Sequence, residues 1–425
     1  MGSVEEKLKT GGLVGGAHNL FEEMKLLKEM QDHPVSIYTI KHFGVQSVVT
    51  TARPTLQPCI GEAPNNLDRW IRPPAHLMHS MSEEELLWRA SFAPRVKKYP
   101  FKRVPKIAFM FLTKGPLPLA PLWERFFKGH KGLYSIYIHS LPSFQADFPS
   151  SSVFYKRQIP SQVSEWGKMN MCDAERRLLS NALLDIYNEW FVLLSESCIP
   201  LFNFTTIYNH ISQSKYSFIG AFDDPGPYGR GRYSDKMLPE VNITQWRKGS
   251  QWFEINRKLA LYIVEDAKFY PKFAEFCKPA CYVDEHYFPT LLTIRAGNIL
   301  ANRSITWADW SRGGAHPATF GRSDITEEFM KRFFDGQSCV YNDKSSSICY
   351  LFARKFAPGA LERGNDSVIV AMKLGANAAA DNDDKDTAIM EAMEEGAARL
   401  RLLLLEEEVE DVRLGFFWEP LSSTG

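Results

Sequence analysis

No two of the seven cysteines (Cys59, Cys172, Cys198, Cys277, Cys281, Cys339 and Cys349) fall in a C-x-x-C pair, so zinc-ribbon and thioredoxin-type chemistry lack their ligand spacing. No run approaches the roughly 18 consecutive apolar residues of a membrane span, and residues 1–16 hold no apolar core ahead of a cleavage site. Neither an anchor nor a signal peptide is read in the chain. The most apolar N-terminal stretch, 35–52, is interrupted by Lys41 and His42. An excess of one charge is also missing: 50 Lys and Arg balance 50 Asp and Glu, which argues against a polyanion partner such as nucleic acid. There is no G-x-G-x-x-G after the first apolar strand and no phosphate-binding G-x-x-x-x-G-K-[ST], so dinucleotide and P-loop cradles are excluded. The absence of G-x-S-x-G and H-E-x-x-H removes the common serine-hydrolase and zinc-protease readings. No D-x-D closes a strand, so a metal-bridged diphosphate lacks its usual ligand.

What is present is a globular composition, 44% hydrophobic and 24% charged, over 425 residues. That length accommodates one large α/β domain with flanking segments. The neutral total conceals an asymmetry. Residues 363–425 carry 6 basic and 14 acidic side chains, leaving the preceding chain at net +8. A basic body suits an anionic ligand, or is a solvated face. The chain divides into a leader or stem (1–75), a folded body (76–361) and an acidic, Ala/Leu/Glu-rich tail (362–425) expected to be partly helical or disordered.

Within the body, Ser82 followed by Glu83, Glu84 and Glu85 predicts a capped helix. KIAFMFL (106–112), LYSIYIH (133–139) and WFVLL (190–194) are short apolar runs that read as buried strands, alternating with helices over 119–127 and 173–187. Strand–helix alternation predicts an α/β fold, a Rossmann-like, mostly parallel sheet flanked by helices, with ligands beyond the strands' carboxyl ends near Thr113, His139 and Ser195. Two loops, DDPGPYGRGR (223–232) and SITWADWSRGGAHPAT (304–319), read equally as functional loops or surface connections. Tryptophans in the second suit either sugar stacking or the core. Asp284-Glu285-His286 sets three ionisable groups between Tyr282 and Tyr287, where a carboxylate can act as general base. Arg354-Lys355 either aims two cations at a diphosphate or is surface charge.

Taken together, KIAFMFLTKGPLPLAPLW, EWFVLLSESCIPLFNFTTIY, KGSQWFEINR, CYVDEHYFPT, WSRGGAHPATF and LFARKF resemble, in this order over 66–361, the plant branch of the core-2/I-branching β-1,6-N-acetylglucosaminyltransferase family, glycosyltransferase family 14. The resemblance implies a GT-A-type fold, a UDP-sugar donor (N-acetylglucosamine by the family's name), a glycan or glycoprotein acceptor, and inverting transfer without a metal or other cofactor. It places Glu285 as catalytic base and Lys355 and Arg354 at the donor diphosphate, with Arg322 and Arg312 as further candidates for that arginine. His139, Thr113 and Ser195 fall on the nucleotide side; Trp310 and Trp252 fall on the acceptor side. It implies a Golgi membrane or lumen location, where the Asn203, Asn242, Asn302 and Asn365 sequons are usable and Cys339–Cys349 is the expected local disulfide. A non-catalytic carbohydrate-binding or Golgi scaffold protein on the same fold is the alternative.

Overall fold

A computed structural model describes Leu67 and residues 71–74, 76–92, 98–278 and 281–361. The leader, apart from Leu67 and 71–74, and the acidic tail, together with Cys59 and Asn365, lie outside the described residues. Helix α1 (Glu83–Ser91) opens with a reciprocal cap: Glu85 N–H donates to Ser82 Oγ at 3.2 Å and Ser82 N–H donates to Glu85 Oε2 at 2.7 Å. Such a cap contributes about 1 kcal/mol by satisfying amides that the helix leaves unpaired.

Then follow β1 (Lys106–Leu112), α2 (Ala120–Phe127), β2 (Tyr134–His139), α3 (Met169–Leu183), β3 (Asn188–Ser195), β4 (Ile199–Pro200), α4 (Phe204–Ser212), β5 (Glu254–Asn256), α5 (Arg257–Val264), α6 (Tyr270–Phe276), α7 (Val283–Ala296), β6 (Thr306–Ala308), α8 (Glu327–Lys331), β7 (Cys339–Tyr341), β8 (Lys344–Ser346) and β9 (Phe352–Arg354). The principal sheet has the order β2-β1-β3-β5. The first three strands are parallel, whereas β5 runs antiparallel to β3. A second, three-stranded sheet (β4-β9-β6) is also mixed, and β7-β8 is a short antiparallel ribbon. The principal sheet is therefore mostly parallel, as expected, with an antiparallel edge strand that makes it mixed, and the second sheet is mixed as well. Three-residue strands such as β5 carry too little sequence for their direction to be read from periodicity.

The apolar run of β1 is continuous because both faces are covered. Ile107, Phe109 and Phe111 enter the core built with α2, α4 and β9; Ala108, Met110 and Leu112 enter the one built with α3, α5 and α7. Helix α3, expected over 173–187, begins four residues earlier. It stops at Leu183 because Asp185 takes over: its carboxylate accepts from Tyr187 N–H at 2.9 Å, and its carbonyl accepts from Asn188 N–H at 3.1 Å. Among the described residues no helix is long and apolar enough to cross a membrane.

Candidate active site

Strand polarity determines where the cleft lies. The carboxyl ends of β1, β3, β6 and β9 deliver Leu112, Ser195, Ala308 and Arg354 to the wall of one cavity of about 620 Å³, a volume typical of small-molecule sites. Thr113 and Ser195 both line it, as strand-end residues of this fold class should. Thr113 Oγ1 donates to Gly115 O at 3.0 Å, and Ser195 Oγ lies 3.0 Å from Ser197 Oγ.

His139 is different: it is fully buried and is not part of the cleft wall. Its Nε2 sits 3.0 Å from Arg177 Nη1, and Arg177 in turn donates to Glu83 at 2.7 Å. Burial and the adjacent guanidinium depress the His139 pKa to about 3, so the ring is neutral and accepts from the arginine. His139 thus ties β2 to α3 and α1.

Glu285 stands in the first turn of α7, where the helix dipole favours negative charge. Its Oε2 accepts from Arg232 Nη1 at 3.2 Å, and its carbonyl accepts from Gly249 N–H at 2.8 Å. Burial raises its pKa, while Lys248 and Arg232 pull it back down. Successive helical residues point about 100° apart, so the Asp284-Glu285-His286 triplet does not act as one group. Asp284 and Glu285 line the cleft; His286 turns into the core, its Nδ1 2.8 Å from Arg247 O and its ring stacked 4.5 Å from Trp246. Burial lowers the His286 pKa to about 4, which keeps it neutral.

Asp284 is buried with Oδ1 lacking a protein partner, and burial followed by the neighbouring Glu285 charge pushes its pKa up to about 7. Behind it Glu175, on α3, is also raised by burial and by Asp284; Gln251 donates to its other oxygen at 2.8 Å. Two such carboxyls without a cation between them favour holding a proton.

Arg354 and Lys355 line the same cavity. The Arg354 guanidinium lies 3.9 Å from the Trp252 ring centroid, a cation–π contact worth about 0.5–2 kcal/mol. Trp252 is only 6% exposed and supports Arg354, while Trp310 is 53% exposed and opens into the cleft. The two tryptophans of the 304–319 loop thus differ: Trp310 is open to the cleft, whereas Trp307 packs on Phe320 and Phe333. Arg312 and Arg322 are exposed and do not line the cavity.

Sequence reasoning left the 223–232 loop undecided, and it carries Arg232. A bidentate Arg230–Asp223 pair (2.8 and 2.7 Å) and the Asp224 turn, whose Oδ1 accepts from Gly226 N–H at 2.7 Å, shape the loop. Lys248 and Trp166 were not anticipated as site residues: Lys248 opens the KGSQWFEINR block but was given no role, and Trp166 belongs to none of the family blocks; both line the wall.

Cys339 and Cys349 form the expected disulfide, and a second joins Cys277 to Cys281 immediately before the Glu285 helix. Cys172 and Cys198 are buried free thiols. Of the sequon asparagines, Asn242 and Asn302 are exposed; half-buried Asn203 caps α4 by accepting from Thr206 N–H at 2.9 Å. Among the described residues no cluster of three or more His, Cys, Asp or Glu is placed to hold a metal ion.

A cleft at strand ends, lined by both a carboxylate at a helix start and a basic pair, is an arrangement suited to group transfer from an anionic donor. Comparison with known proteins identifies the group. The family model for the Core-2/I-Branching enzyme matches residues 107–334, more than half of the chain. The chain is also 36% identical over 300 residues to Glycosyltransferase BC10 of Oryza sativa subsp. japonica, covering 60% of this chain and 74% of that protein. It belongs to the core-2/I-branching enzyme family and is, by that membership, a glycosyltransferase, with a sugar donor and a glycan acceptor.

Proposed function

We propose that the protein transfers a sugar, N-acetylglucosamine by the family's name, from a UDP donor to a glycan or glycoprotein hydroxyl with inversion, on a GT-A-type fold and without a metal. The observation that carries this reading is that Glu285 and the Arg354–Lys355 pair border the same cleft. In the proposed step Glu285 removes the acceptor hydroxyl proton as that oxygen attacks the anomeric carbon. The bond from that carbon to the UDP oxygen breaks on the opposite face, and its electron pair leaves with UDP. Arg354 and Lys355 offset the negative charge that develops on the diphosphate. Thr113 and Ser195, at the strand ends, lie on the nucleotide side, and Trp310 offers a ring face to the acceptor. Lys248 and Arg232 counter the upward pull of burial on the Glu285 pKa, which favours the ionised form a general base requires.

We place this chemistry in the Golgi lumen. The two disulfides and the exposed Asn242 and Asn302 sequons support that placement, because such bridges persist in oxidising compartments.

The test is donor consumption by the purified chain with UDP-N-acetylglucosamine, UDP-glucuronic acid and UDP-xylose, each with and without EDTA. Turnover of one donor, unchanged by EDTA, is expected. Binding without turnover of any donor would favour a non-catalytic carbohydrate-binding protein, and EDTA-sensitive turnover would contradict the proposed metal independence.

A further inference from the structure

We propose that Trp166 is an outer sugar-binding platform, so that the acceptor is an oligosaccharide whose second or third unit stacks there while its terminal hydroxyl meets Glu285. This inference rests on the glycosyltransferase reading and specifies its acceptor class.

Trp166 lines the cleft, is 44% exposed, and follows Glu165 in the segment leading into α3. Two other rings fix it: Tyr282 at 4.7 Å and His316 at 4.7 Å between centroids. A ring held in this way loses little side-chain entropy on binding, which suits it to stacking. Tyr282 directly precedes α7 and also lies under the Arg232 guanidinium at 4.4 Å. Trp166, Tyr282, Arg232 and Glu285 therefore form a continuous chain of contacts from the outer ring to the proposed base.

Phe222 (50% exposed) and Trp310 (53% exposed) line the same cleft, giving three open rings. One acceptor sugar, with a single strongly apolar C–H face, does not need three. A lipid or steroid acceptor would call for a continuous apolar wall. Here Ser164, Ser250, Gln251 and Asp224 line the cleft together with the rings, and the buried Asp284 leaves an oxygen without a protein partner. Ring faces in one cleft with hydroxyl-binding groups match the two-sided chemistry of a glycan chain.

The experiment measures kcat/KM of the full chain, using the donor it consumes, for aryl-tagged β-linked hexosides of one to four units, galactosides and glucosides in parallel. For the unsubstituted protein kcat/KM should rise roughly tenfold from one to three units, the scale of one aromatic stacking contact. Trp166→Ala should bring the three-to-one ratio to within about twofold of unity, and Trp166→Phe should restore most of it. A flat series for the unsubstituted protein, an unchanged ratio in Trp166→Ala, or equal losses at every length in both variants would each overturn the platform. Absence of transfer from every donor to every acceptor would contradict the glycosyltransferase reading and the platform with it, whereas the other outcomes leave that reading intact.

Discussion

Arg232 donates to Glu285 across 3.2 Å, linking a glycine-rich loop to the first turn of α7 and opposing the upward pull of burial on the carboxylate's pKa. Both partners are largely shielded from water, so the contact is stronger than a surface ion pair. Burial is already the largest influence on Glu285, and removing Arg232 leaves Lys248 as the remaining cation opposing it. Arg232→Ala should therefore raise the Glu285 pKa and move the acidic limb of the kcat/KM profile to higher pH, with a loss of about 10–100-fold at pH 6. An unshifted acidic limb would show that Arg232 does not set the state of Glu285.

Lys355→Ala should weaken UDP binding by about 1.5–3 kcal/mol, the value of a hydrogen bond to a charged group. Trp252→Leu should act in the same direction more weakly, by about 0.5–2 kcal/mol, because it removes the ring beneath Arg354. Calorimetric titration with UDP measures both; equal affinity in the Lys355 variant would place the diphosphate elsewhere.

Gly249 tolerates no side chain. A Cβ there would lie 2.0 Å from Gly220 O and 2.9 Å from Pro289 Cγ, and Pro289 belongs to the Glu285 helix. Gly249→Ala should push the loop off α7, break the Gly249 N–H to Glu285 O bond, and reduce both the melting temperature and activity. Thermal unfolding alongside turnover checks this, and unaltered values of both would contradict the packing argument.

Glu254 on β5 is buried, with Oε2 accepting from Phe218 N–H and Oε1 unpartnered, and burial raises its pKa to about 8. The folded state thus binds this proton more tightly than the unfolded chain, in which the pKa is near 4.5. Between about pH 4.5 and 8 the unfolded state binds fewer protons, so this group's contribution falls as pH rises and is unfavourable above pH 8. Glu254→Gln should remove that slope, raising stability relative to the unsubstituted protein by about 2–5 kcal/mol at pH 8 but little at pH 4. Denaturant unfolding at the two pH values provides the comparison; an equal effect at both would refute it.

Sequence legibility followed physical range. KIAFMFL and the Ser82 cap could be read because burial on both faces and local capping leave their mark within a few residues. The antiparallel course of β5 could not, since three residues carry no periodicity and their direction depends on distant pairing with β3. At the site, Glu285, the Arg354–Lys355 pair and Trp310 were assigned through the family resemblance, since their local charge and ring patterns alone read equally as surface or core, and all of them line the cleft. His139 was legible as a strand end but not as buried, because Arg177, 38 residues away, determines its surroundings. Trp166 lies in none of the family blocks, and Lys248, although it opens KGSQWFEINR, carried nothing locally that marked it as a neighbour of Glu285.

The central claim is that Glu285 is the base. The most direct measurement is transfer and UDP affinity together in Glu285→Gln, a nearly isosteric change that removes only the proton acceptor. The account predicts a loss of transfer of at least about 10³-fold with UDP affinity within about twofold of the unsubstituted protein. Turnover like that of the unsubstituted protein would contradict it and remove Glu285 from the mechanism.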